Sequence, residues 1–65
     1  MMKGVPIDYF VDGKPFAFRR RDYVPATRDH VRFNGIYYRV DTVDWIEDQG
    51  DDLKVNVMMT KAPGQ

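Results

Sequence analysis

The chain has no cysteine and no serine, and only one leucine (Leu53), one glutamate (Glu47) and one histidine (His30). Without cysteine there is no disulfide to staple a small fold and no thiolate to hold zinc. The common nucleophiles are also missing, and Thr27, Thr42 and Thr60 stand in no motif that would activate them. No apolar run approaches the roughly 20 residues a membrane helix needs. The opening Met1-Met2-Lys3-Gly4-Val5-Pro6 carries no apolar stretch resembling a signal peptide, so the expected compartment is the cytoplasm. Ten basic and ten acidic residues sum to zero, which argues against bulk attraction to nucleic acid or anionic lipid. The expectation is a non-enzymatic protein with no cofactor, no metal and no membrane partner.

What the chain does have is eight valines and nine aromatics in 65 residues. That is too much apolar surface for a disordered chain, and strong helix formers are scarce, so strands are favoured. A domain this small buries only about 60% of the surface its unfolded chain exposes, so each apolar side chain matters. Residues 1–65 read as one small β domain, with 61–65 expected to fray.

Val5, Ile7, Tyr9 and Val11 alternate, and Asp12-Gly13 then offers a two-residue type I′ turn. With that turn, Val11 faces Lys14, Tyr9 faces Phe16 and Ile7 faces Phe18, which puts the apolar groups of both strands on one face. A second such turn, Asn34-Gly35, pairs Phe33 with Ile36, Val31 with Tyr38 and Asp29 with Val40. Arg32, Tyr37, His30 and Arg39 fall on the other side. Past Val40 the alternation slips by one to Val43 and Trp45, which requires a β-bulge near Asp41-Thr42 or a sharp bend. Trp45 is expected in the core. The last strand reads Leu53, Val55, Val57, Met59, with Lys54 and Asn56 facing out and Glu47 to Asp52 as the preceding loop. The least regular stretch is Arg19 to Arg28, where Pro25 breaks any strand. The sum is an all-β fold, a small five-stranded antiparallel barrel or strongly curved sheet of SH3-like kind.

Few residues suggest chemistry. His30 is expected on an outer face beside Arg39, a poor setting for a general base. Asp48, Asp51 and Asp52 lack the alternating spacing and terminal glutamate of an EF-hand, and fit a solvated turn. Arg19, Arg20, Arg21, Arg28 and Arg32, with nearby aromatics, suit a small barrel that holds single-stranded nucleic acid through the 19–32 segment. The hairpin registers, however, send Phe16, Phe18, Phe33 and Tyr38 inward, leaving mainly Phe10, Tyr23 and Tyr37 for a surface.

Charge layout is more informative. From Lys14 to Arg39 seven cations face two anions, a net of +5, whereas Asp41 to Asp52 holds six anions and no cation. Either the two regions neutralise each other within one molecule, or they are complementary between copies. A head-to-tail contact of the second sort closes into a ring or runs on as a filament. The candidate interaction surface is therefore Arg19, Arg20, Arg21, Arg28 and Arg32 with Asp48, Asp51 and Asp52.

The stretch Arg28-x-x-Val31-Arg32-Phe33-Asn34-Gly35-Ile36-Tyr37-Tyr38-Arg39-Val40-Asp41-Thr42-Val43-Asp44-Trp45, an acidic loop, then Leu53-Lys54-Val55-Asn56-Val57, resembles a known arrangement. It is similar to the closing half of tailed-phage head–tail joining (head-closure) proteins. There a strand of form Arg-(apolar)-x-x-(Asn/Gly)-Gly precedes Tyr-x-(Ile/Val)-x-x-Val, a variable loop and a final alternating strand. Within residues 27–60, the resemblance implies a phage or prophage structural or assembly role, with copies in a ring around a DNA portal. It carries no catalytic residues. Protein partners, copies of itself among them, are then expected in the bacterial host cytoplasm or the virion. Nucleic acid and a host protein inhibited by a phage product are the other partners open at this point.

Overall fold

The computed structural model describes residues 4–49 and 52–62, without the side chains of residues 48, 49 and 52. Five strands form one sheet: β1 (Val5–Val11), β2 (Lys14–Arg21), β3 (His30–Phe33), β4 (Ile36–Gln49) and β5 (Asp52–Lys61). Their order is β2-β1-β5-β4-β3, and the sheet curls into a half-barrel. The all-β class and the curved five-stranded sheet agree with the sequence pattern. One pairing does not: β1 runs parallel to β5, from Ile7 opposite Val55 to Val11 opposite Met59, so the sheet is mixed rather than antiparallel. Among the described residues no helix is long and apolar enough to cross a membrane.

Both turns carry the backbone that type I′ requires. Asp12 and Gly13 have φ of 52° and 81°, and Asn34 and Gly35 have 51° and 83°. The β3–β4 hairpin keeps the expected register, Phe33 opposite Ile36 and Val31 opposite Tyr38. The slip after Val40 is a bulge at Asp41, since Val40 faces Met59 and Thr42 faces Met58. The segment read as a loop, Glu47 to Asp52, is largely strand, with Gln49 opposite Asp52. The tail holds further than expected: Lys61 still belongs to β5, and Ala62 is buried, its N–H bonded to the Tyr37 carbonyl at 2.9 Å. Residues 63–65 lie outside the described residues.

The first hairpin departs from its expected register. Val11 faces Lys14 and Phe10 faces Pro15, but Tyr9 then faces Ala17, leaving Phe16 as an extra residue. From there Ile7 faces Arg19, and Phe18 faces Asp8. A slip of one residue moves every later side chain to the opposite face. Phe18 is therefore turned out, 50% exposed, and Arg19 and Arg21 take the concave side instead.

The core lies on that concave side. Ile7 and Tyr9 of β1, Tyr38 and Val40 of β4, and Val55, Val57 and Met59 of β5 are buried together. These are the i, i+2 positions of each strand, the spacing a one-sided sheet demands. Pro6, in a strand with neighbours on both sides, is tolerated because the β5 ladder starts only at Ile7.

Candidate interaction surface

β2 and β3 are the two edges of the sheet, and the curl brings them towards each other without a ladder between them. Rings bridge this seam at one end. Phe16 meets Phe33 edge-on at 5.2 Å and Tyr38 at 5.1 Å, and Phe33 meets Tyr9 at 5.2 Å. Phe16 remains 42% exposed because it covers the core from the side where no strand does. Arg19 lies over the Phe33 ring, 5.6 Å from its centre, a cation–π contact across the same seam.

Beyond the rings the seam widens into a cleft of about 420 Å³, lined among others by Tyr9, Arg21, Tyr23, His30, Arg32 and Phe33. Burial pushes the Tyr9 phenol above its ordinary value, against the pull of the Arg21 guanidinium. Asp29, the anion on this wall, already accepts from the Ala26 N–H at 2.9 Å. The wall therefore has aromatic faces and a surplus of cationic donors.

The five candidate arginines do not share one site. Arg21 and Arg32 meet at the cleft, and Arg19 stands at its aromatic end. Arg20, one residue out of phase on β2, points to the opposite face. Arg28 borders a separate hollow with Thr27, Arg39, Val40 and Asp41. The backbone of Arg28 is left-handed, φ 80°, which lets its N–H reach the Val40 carbonyl at 2.8 Å. Asp48 and Asp52 belong to the far end of the β4–β5 hairpin, and their side chains, like Asp51 as a whole, lie outside the described residues. Between described residues the ion pairs are Arg39–Asp41 at 3.1 Å and Lys54–Asp8 at 2.9 Å, and neither uses a candidate arginine.

Trp45 is not a core residue; it is 54% exposed. β3 has only four residues, and its last partner on β4 is Arg39, so at Trp45 only β5 runs alongside. Of the aromatics expected outside, Tyr23 is 73% exposed and Tyr37 stacks under Arg32 at 5.6 Å. The cleft itself was missed because its lining comes from β1, β2, β3 and the β2–β3 connection, which no local spacing unites.

The fold and site define a small half-barrel with an open, arginine-lined seam. Compared with family models, curated proteins and solved structures, the chain gives no match.

Proposed function

We propose that the protein is a non-enzymatic phage or prophage assembly protein that works by protein–protein contact, docking head to tail with copies of itself. The observation that carries this is the separation of charge in the molecule. Arg19, Arg20, Arg21, Arg28 and Arg32 make no ion pair with any described residue. The acidic stretch sits on a hairpin whose strand β4 runs on to Gln49, far past its last β3 partner, Arg39. A basic seam and a projecting acidic hairpin on one molecule suit a heterologous contact. The resemblance of residues 27–60 to head-closure proteins supports a virion role for it.

Light scattering at high protein concentration tests the reading. Mass is expected to grow at low salt and to fall back as salt rises, because the Debye length shrinks to about 10 Å at 0.1 M. Reversing Arg19, Arg20 and Arg21 to Glu is expected to abolish the growth. A strict monomer that ignores salt would sink the reading.

A second reading, nucleic-acid binding, draws on the exposed rings of Phe18 and Tyr23 beside the arginines. Titration with single-stranded and duplex DNA separates it: only a nucleic-acid protein loses affinity steeply and log-linearly with salt on DNA.

A further inference from the structure

We infer that the open half of the seam takes an extended acidic segment of a partner chain as an added strand on the β2 edge. The inference deepens the protein-contact reading and rests on it, naming the surface and the partner's chemistry.

Spacing comes first. No Cα of β2 lies within 8 Å of one in β3. Paired strands lie about 4.8 Å apart, so β2 and β3 do not pair and each edge keeps its outward backbone groups unpaired by another strand. The rings of Phe16 and Phe33, with the Arg19 guanidinium over Phe33, close the seam at one end, and the cleft opens beyond them between Arg21 and the stretch His30 to Arg32.

The edge of β2 is guarded there in a particular way. Arg19 donates from its Nη1 to the Phe18 carbonyl at 2.7 Å, and Arg21 does the same to the Arg20 carbonyl at 3.1 Å. These carbonyls are the ones a new strand would need. Charged side chains on an edge discourage chance pairing. A neutral strand must displace both guanidinium groups with nothing to offer them. A strand with carboxylates at alternate positions offers each a bidentate, charge-assisted partner, which is stronger than a neutral carbonyl. The guard is then also the selectivity device. By the two-residue period of strands the intervening apolar side chains fall on the outer face, beside the half-exposed Phe18, the face on which Arg32 lies over the Tyr37 ring and donates to its hydroxyl. Strand addition of this kind draws affinity from backbone bonds and specificity from alternate side chains.

The probe is a capped heptapeptide of alternating glutamate and valine, added to the full-length protein and followed by amide NMR. Saturable shifts and slowed exchange are expected at Phe18, Arg20 and the β3 amides. Methylating alternate backbone nitrogens of the peptide, which keeps every carboxylate, is expected to weaken binding at least ten-fold. Exchanging glutamate for lysine should abolish it, and Arg19→Gln with Arg21→Gln should weaken it. Equal binding of the methylated peptide, shifts confined to β4 and β5, no binding, or an oligothymidylate occupying the seam in the peptide's place would each overturn the inference. A failed titration with salt-sensitive assembly intact removes this inference alone. Loss of both removes the protein-contact reading as well.

Discussion

Gly4 shows how much one position can carry. Its φ is +85°, and a Cβ placed there would lie 2.7 Å from the Arg21 carbonyl oxygen. Two constraints meet: the left-handed backbone costs an L-residue roughly 1–2 kcal/mol, and the clash is with backbone, which no rotamer relieves. Gly13 has nearly the same φ, +81°, but nothing within 4 Å. Gly4→Ala should therefore lower the denaturant midpoint clearly more than Gly13→Ala, against a total stability of about 3–10 kcal/mol for a chain this long. Equal losses would show that the close approach to β2 does not matter. Gly13 was legible as a hairpin turn from its Asp-Gly pair. Gly4 was not, because its neighbour is seventeen residues away in sequence and touches it only when β2 folds back.

Among elements, the bulges at Asp41 and Phe16 make the sharper comparison. The one at Asp41 left a trace in the sequence, since Val40 and then Val43 and Trp45 are apolar in opposite phases, which called for a bulge or a sharp bend, and the structure has the bulge. Its structure explains how the extra residue is held. The Asp41 carboxylate accepts from the Thr60 hydroxyl across on β5 and from Arg39 Nε at 3.1 Å. Those two bonds, the Thr60 one foremost, hold its pKa below the ordinary carboxylate value of 3.8. A depressed folded pKa means stability that is present above the unfolded value and lost as pH falls through the folded one. The gap in urea midpoint between wild type and Asp41→Asn should therefore be constant near neutrality and shrink below about pH 4. Thr60→Val should behave alike, and a gap that ignores pH would refute the role. The bulge at Phe16 gave no such sign, because the unbulged register also placed apolar groups on one face. Phe16 and Phe18 looked like core partners of Tyr9 and Ile7, whereas the extra residue handed the inner positions to Ala17 and Arg19. What decides between the registers is the ring cluster with Phe33 and Tyr38, contacts made by strands far away along the chain.

For the whole molecule the open seam is the governing feature. The Cα radius of gyration is 12.2 Å, and the extents are 41 × 22 × 18 Å. A compact chain of this length would have a radius near 10.7 Å, so the shape is elongated. The length follows from the long β4–β5 hairpin, and the opening follows from β3 stopping after four residues. With no ladder across the seam, the Phe16 rings are its main closure. Phe16→Ala removes two ring pairs worth about 0.5–1.5 kcal/mol each beyond the area they bury. It should lower the melting temperature and speed amide exchange along β3 while β1 and β5 stay protected. Uniform loss of protection, or none, would show that the rings do not latch the edges.

The sequence by itself determined the five-strand pattern, both type I′ turns, the β3–β4 register, the break in alternation near Asp41 and the division of charge. Each of these depends on alternation or on residues adjacent in the chain, where side-chain direction and backbone preference act locally. Only the tertiary structure decided the parallel β1–β5 pairing, the Phe16 bulge, the exposure of Trp45 and the arginine-lined cleft. Those depend on which strands become neighbours and where each one stops, and that is settled by burying a single shared concave face rather than by any local pattern.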